Sequence, residues 1–353
     1  MSRQDRLARI AAEAQKRILI LDGSWGVFLQ GMGLEEADYR GERFIGHNSA
    51  LKGNHDILCL TRPDIVTQIH EAYLDVGADI TSTNTFSATS ISQGDYAMQA
   101  AVGDINRAAA RLAREACDRA EAKDGRVRLV AGAIGPTNKT LSLSPDVNDP
   151  ARRDASFQEM AAAYKEQVAA LIEGGADLLL IETIFDTLNA KACLYGAWDA
   201  FDEAGEALPF WISGTITDKS GRTLSGQTVE AFWNSIRHAE PWAVGLNCAL
   251  GPAEMRAFLA DLARVAECPV SAYPNAGLPN AMGGYDETPH SMEAHYAEWA
   301  RSGLVNILGG CCGTTPDHIA HLKAAVDGVA PRVPPTVERR LRLSGLEAFT
   351  AAA

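Results

Sequence analysis

Short apolar runs of strand length alternate with longer stretches of helical periodicity along most of the chain. The runs are Ile18–Leu21, Ala78–Thr83, Val127–Ala131, Ala176–Ile181, Phe210–Gly214, Ala243–Leu246, Pro269–Ala272 and Leu304–Leu308. After them come segments whose apolar positions recur every three or four residues: Asp64–Val76, Met98–Ala122, Asp154–Gly174, Asp186–Ala204, Thr228–His238, Pro252–Ala266, Ser291–Arg301 and Pro316–Val326. Alternation of period-2 and period-3.6 segments is the signature of βα units and a parallel sheet. Proline with a nearby acid marks helix starts at Pro63-Asp64 and Pro316-Asp317, and glycine marks stops at Gly77, Gly174-Gly175 and Gly205. No Gly-x-Gly-x-x-Gly follows the first run, so a dinucleotide-binding half is unsupported. Eight units with short returns predict an α/β fold of the (β/α)8 TIM-barrel type over residues 1–330.

Two segments fall outside the repeat. Residues 31–61 form a first loop long enough to act as a lid or wall over the barrel mouth. Residues 331–353, beginning Pro331-Arg332-Val333-Pro334-Pro335, lack a periodic apolar face and read as a linker-like C-terminal tail. The start of the chain, Ser2 to Arg17, carries Asp5 and Glu13 among its arginines. It reads as a packed surface helix rather than a transit peptide.

Polar and glycine-rich clusters follow the strands: Asp22-Gly23-Ser24, Asn84-Thr85, Gly135 to Asn138, Glu182-Thr183, Thr215 to Thr217, Asn247-Cys248, Pro274-Asn275 and Gly309 to Gly313. In a barrel these all reach the C-terminal face, where active sites of this fold lie. Among them Cys248, Cys311 and Cys312 converge from strands six and eight. Adjacent residues of a strand point opposite ways, but Gly309, Gly310 and Gly313 allow the backbone to turn so that both cysteines face one point. The strand-eight loop alone also fits a phosphate-binding loop, as in a barrel lyase, or a redox pair of cysteines. Three thiolates together favour Zn2+ with an open fourth position, exclude the hard cations, and suit a soft thiol substrate. Zinc-bound thiol is deprotonated, so the inferred reaction class is alkyl transfer to sulfur.

Asp22 and Glu182 end strands one and four, where the pair could hold an ammonium group. Backbone N–H groups near Gly23 and Ser24 would then face a carboxylate, completing a recognition set for an amino acid. His47, His55 and His70 lie in or after the first loop and read as solvated or hydrogen-bonding residues.

Composition narrows the picture further. The 353-residue chain is 46% hydrophobic, enough for a large core, and its net charge of −13 argues against a nucleic-acid or anionic-membrane partner. Seven cysteines without a disulfide framework favour a reducing, cytoplasmic setting. No apolar stretch approaches the ~20 residues of a membrane span, and no secretory signal is expected.

Gly245-Leu246-Asn247-Cys248 taken with Gly309-Gly310-Cys311-Cys312-Gly313 resembles the paired zinc motif of the homocysteine S-methyltransferases. Further stretches resemble the subgroup formed by homocysteine-binding modules of cobalamin-dependent methionine synthases. They are Gly53–Asp56, Thr83–Ile91, Gly132–Asn138, Ser213–Thr217, Gly221–Thr228 and Ala272–Gly277. The resemblance covers nearly the whole chain. It implies zinc on Cys248, Cys311 and Cys312 with the homocysteine sulfur as fourth ligand, and Asp22 and Glu182 on the substrate amino group with the Gly23 region near its carboxylate. Methylcobalamin would be the donor and methionine the product. Arg342 to Glu347 resembles the junction that leads, in the full-length enzyme, into folate- and cobalamin-binding modules. The resemblance therefore points to methylcobalamin on a partner chain carrying those modules, as in a split methionine synthase. The same chemistry with S-methylmethionine or betaine as donor is the alternative.

Overall fold

The computed structural model of the chain describes residues 1–217, 219–280 and 284–352. Its centre is an eight-stranded parallel sheet: β1 Leu19–Ile20, β2 Ile80–Ser82, β3 Leu129–Ile134, β4 Leu178–Ile184, β5 Phe210–Gly214, β6 Ala243–Asn247, β7 Val270–Tyr273 and β8 Ile307–Leu308. The strands follow one another in the order β1-β8-β7-β6-β5-β4-β3-β2. A parallel bridge from Leu21 to Ile80 and bonds from Asp22 N–H to Ile80 O and Asp79 N–H to Ile20 O join the two ends. The result is a (β/α)8 barrel. Every apolar run read as a strand became one, with ends moved by a few residues.

Inward positions of the strands form one cluster: Leu19, Leu21, Ile80, Leu129, Ala131, Leu178, Leu180, Trp211, Ala243, Tyr273 and Ile307. Outward positions meet the helix ring in a larger core. The interior is thus a packed core, as the inward alternation of a barrel requires. Ile10 and Ala14 of the helix Arg3–Ala14 join the inner cluster. That helix closes the barrel at the starts of the strands. Arg6 pairs there with buried Asp177 at 2.7 Å, and Arg17 with buried Asp79 at 2.7 Å.

The ring helices keep their expected places, with local shifts. The segment read as helix from Met98 starts as a 3-10 turn at Gln99–Ala101 and becomes α-helical over Val102–Asp124. The first loop is a wall with its own short helices, Glu36–Arg40 and Leu58–Thr61, around a 3-10 turn at His55–Ile57.

The tail departs from the extended linker expected of residues 331–353, of which residue 353 lies outside the described residues. Arg332 is buried, its guanidinium donating to the carbonyls of Ala263, Ala266 and Cys268, while its own carbonyl accepts from Asn306 Nδ2 at 2.7 Å. Beyond it, β9 Arg342–Ser344 and β10 Ala348–Thr350 pair as an antiparallel hairpin against the helix Val229–Ile236. Backbone and polar side-chain bonds hold this segment, so no apolar periodicity announced it. Among the described residues no helix is long and apolar enough to cross a membrane.

Candidate active site

A cavity of about 550 Å³ opens at the C-terminal ends of the strands. Its floor is made by Leu21, Asp22, Leu180, Glu182, Tyr273 and the three cysteines, and its walls include Gly53–Asp56 of the first loop. All seven sequence-predicted site residues line it: Asp22, Gly23, Ser24, Glu182, Cys248, Cys311 and Cys312.

The thiols come together as the strand-end glycines predicted. Cys248 Sγ lies 3.9 Å from Cys312 Sγ, and Cys311 Sγ lies 4.0 Å from Cys312 Sγ. All three sulfurs fall within 4.8 Å of one another. Zn–S bonds of about 2.3 Å in tetrahedral array put sulfurs about 3.8 Å apart, so the trio fits that ion with little movement. Cys248 reaches its place through a left-handed backbone, φ +59°, and Gly313 turns the other loop at φ +84°, where an added Cβ would strike Tyr285. Several of the loop's N–H groups are bonded within the protein: Gly310 to Asp22 O, Cys311 to Pro274 O and Thr314 to Cys311 O. Those bonds leave fewer donors for an anion than a phosphate-binding loop at this position would offer.

Proton affinities within the trio separate. Hydrogen bonds from Cys248 and Cys311 hold the Cys312 thiol down to about 3, while bonds to its two neighbours and burial push Cys311 well up. Cys248 rises to about 12: the Cys311 contact lowers it, but Cys312 and burial together outweigh that.

Across the floor lie two carboxyls. Asp22, 2% exposed, accepts from Ser82 N–H at 2.7 Å, Thr81 Oγ1 at 2.9 Å and Ser82 Oγ at 3.0 Å. Thr81 Oγ1 donates to Asp22, so it accepts from His70 Nδ1 at 2.8 Å, which places the proton of this buried histidine on Nδ1. Burial raises Asp22 to about 7 despite these donors. Glu182 is raised to about 8 by burial, with Asp22 adding repulsion and the neighbouring Tyr273 hydroxyl opposing the rise. Asp22 has the richer set of donors, so of the two it keeps the charge and Glu182 holds the proton. An ammonium group arriving between them would let both ionise.

The remaining predicted residues have mixed roles. Gly23 is required by close approach, since an added Cβ would lie 2.9 Å from Thr314 Oγ1 and the Tyr73 ring. Ser24 N–H already donates to Thr314 Oγ1 at 3.1 Å, and its hydroxyl caps the helix Trp25–Gly31. Of the histidines in or after the first loop, His47 Nε2 meets Tyr96 O, and His55 lines the cavity.

Sequence reasoning about single residues did not find Asp56, Asp95, Tyr273 or the bridging role of Asn247. Asp56 and Asp95 line the cavity; Asp56 is buried, raised to about 6 by that burial, and accepts from Ser87 N–H at 3.0 Å. Among the described lining residues there are four carboxyls and three thiols but no lysine or arginine, so the cavity favours cationic groups.

The sequence profile of the homocysteine S-methyltransferase family matches residues 19–326. Among solved structures, the metallated form of the homocysteine methyltransferase MmuM from Escherichia coli is 23% identical, covering 89% of this chain and 98% of that one, with a TM-score of 0.69. The oxidized form of the same protein gives 23% identity, coverage of 87% and 95%, and a TM-score of 0.68. At this identity the structural likeness establishes the shared barrel.

Proposed function

Because the chain belongs to the homocysteine S-methyltransferase family, we propose that it methylates the thiol of homocysteine to give methionine, with methylcobalamin on a separate cobalamin- and folate-module chain as donor. The observation that carries this reading is one cavity holding both halves of the acceptor's recognition. Three converging sulfurs, within 4.8 Å of one another, share its floor with the Asp22–Glu182 pair. Zinc held by Cys248, Cys311 and Cys312 would supply thiol activation, keeping the acceptor sulfur as thiolate at neutral pH.

The protein's own groups do the rest. Asp22, fixed by Thr81 and Ser82, and Glu182, beside Tyr273, receive the ammonium group and orient the acceptor chain between them and the thiols. Deprotonation of Glu182 on that encounter hands a proton to solvent. A sulfur lone pair then forms the new C–S bond as the methyl leaves its donor, the bonding pair stays with the donor, and the thiol proton has already departed. The barrel wall at residues 53–56 narrows access, and orientation of this kind contributes several kcal/mol to such a transfer. A reducing cytoplasmic setting suits the site, since all seven cysteines are free thiols.

One observation favours a second donor reading. The described lining residues include no lysine or arginine, and the cavity is bordered by Trp25, Phe86 and Tyr96, surroundings that attract a small sulfonium such as S-methylmethionine. Methionine formation, assayed with zinc-loaded protein and each donor in turn, separates the two. Methylcobalamin is expected to react slowly when free and strongly faster when a cobalamin-module chain is added, with betaine and S-methylmethionine near background. Brisk turnover with a small donor and none with methylcobalamin overturns the donor assignment. No methionine with any donor overturns the function.

A further inference from the structure

One side chain ties the chain beside Cys248 to the chain beside Glu182: Asn247 precedes Cys248 and bonds Thr183, the residue after Glu182. Asn247 ends β6 and is fully buried. Its Oδ1 accepts from Thr183 N–H at 3.1 Å and from Ser213 Oγ at 2.6 Å, and its Nδ2 donates to Thr183 Oγ1 at 2.8 Å. Its carbonyl accepts from Thr215 Oγ1 at 2.9 Å. One residue on, the chain turns left-handed at Cys248.

The partner, Thr183, is unusual in its own right. It follows Glu182 at a register shift between Ile181 and Ile184, where β4 breaks step with β5. Its φ is +56°, a left-handed backbone at a β-branched residue. Such a conformation persists only where surrounding contacts hold it, and here both functional ends of one amide do so. The bulge re-aims the adjacent residue, as bulges near active sites do. The Glu182 carboxyl and the Cys248 sulfur are therefore referenced to the same buried amide.

We propose that Asn247, through its paired bonds to Thr183, is the positioning residue that fixes the span between the cysteine trio and Glu182. It thereby sets the acceptor's chain length, favouring homocysteine over cysteine. This rests on the acceptor reading given above. The two amino acids present the same thiol, ammonium and carboxylate and differ by one methylene, about 1.3 Å of reach. A site whose two anchors are held at one separation discriminates on that difference, commonly by about 10- to 200-fold for a methylene. Loosening the tie lets Glu182 drift and accept the shorter molecule. Loss of general stability would instead weaken both ligands alike.

The test measures homocysteine and cysteine affinities by calorimetry on zinc-loaded wild type, Asn247→Ala, Thr183→Val and Thr183→Ser, with zinc content determined for each. Thr183→Val removes the Oγ1 acceptor while keeping side-chain volume, so it remains informative if Asn247→Ala does not fold. The homocysteine-to-cysteine affinity ratio is expected to fall about tenfold in Asn247→Ala and Thr183→Val. Thr183→Ser should recover the wild-type ratio, and zinc content should stay unchanged throughout. Equal weakening of both ligands, or a Thr183→Ser protein as unselective as Thr183→Val, overturns the proposal while leaving the acceptor assignment standing. A wild type that binds no homocysteine overturns the acceptor assignment itself.

Discussion

Glu182→Gln should move stability and substrate affinity in opposite directions. In the free protein burial, then Asp22, lifts the Glu182 carboxyl from 4.5 to about 8. The folded chain thus holds a proton that the unfolded chain releases above 4.5, and stability declines as pH rises from 4.5 to 8. At 1.4 kcal/mol per tenfold in proton affinity the decline is at most about 5 kcal/mol, and water in the open cavity reduces it to about 2–3 kcal/mol. Glutamine keeps the volume and abolishes the ionisation, so the variant should be more stable than wild type at pH 8.5 and nearly equal at pH 4.5. Homocysteine binding runs the other way. Loss of the charge-assisted bond to the ammonium group costs about 1.5–3 kcal/mol, roughly a 10- to 150-fold weaker complex. Wild-type affinity should also climb between pH 6 and 8, because ionising Glu182 on binding costs about 1.4 kcal/mol at pH 7 and twice that at pH 6. Denaturant titrations of the ligand-free protein at the two pH values read the first effect. Calorimetry in buffers of different ionisation enthalpy reads the second, with about one proton fewer released per homocysteine by the variant. Mercaptoethanol, lacking the amino group, should bind wild type and variant alike. The assignment of Glu182 to the ammonium group is refuted by a variant that binds homocysteine with wild-type affinity and releases the same number of protons.

Two further outcomes are expected. If the proposed zinc site is right, wild type should carry about one zinc per chain, and Cys248→Ala should lose zinc and methyl transfer together while its far-ultraviolet circular dichroism stays that of wild type, since the three sulfurs sit on loops beyond the strand ends; stoichiometric zinc in the Cys248, Cys311 and Cys312 triple alanine variant would show that the metal binds elsewhere. His70 is held neutral by burial, its proton affinity pushed down to about 3, so the unfolded chain takes up a proton below 6.5 that the folded chain refuses; wild type should therefore lose up to about 5 kcal/mol between pH 6.5 and 3, and His70→Gln should show a flatter melting profile over that range, parallel profiles counting against it.

The barrel was legible because its signal is local and repeated. A parallel strand buried on both faces must be an apolar run, and the helix covering it must carry a 3.6-residue stripe. Each of the eight units states this within about forty residues, and the eight agree. The thiol site was legible for a related reason: cysteine has distinctive chemistry, and Cys248, Cys311 and Cys312 all stand just past strands, where barrel topology alone makes them neighbours. Asp22 and Glu182 could be placed on the rim by the same rule.

What the sequence could not state is how side chains from different strands divide a limited number of hydrogen bonds. Whether Asp22 or Glu182 keeps the proton depends on Thr81, itself bonded to His70, and Ser82 meeting one carboxyl while the other lies beside Tyr273, a matter of register between β1, β2, β4 and β7. Ser24 N–H looked available to a substrate carboxylate until Thr314, 290 positions away, was found to occupy it. Asn247 and Thr183 are unremarkable polar residues until folding sets a left-handed threonine against a buried amide. The tail, too, docks through Arg332 and backbone carbonyls that carry no periodic trace. Periodicity and residue chemistry are properties of the chain and can be read along it. Proton affinity, bond allocation and backbone strain are properties of the packed neighbourhood, where one partner's position decides what another has left to offer, and the tertiary structure alone determined them.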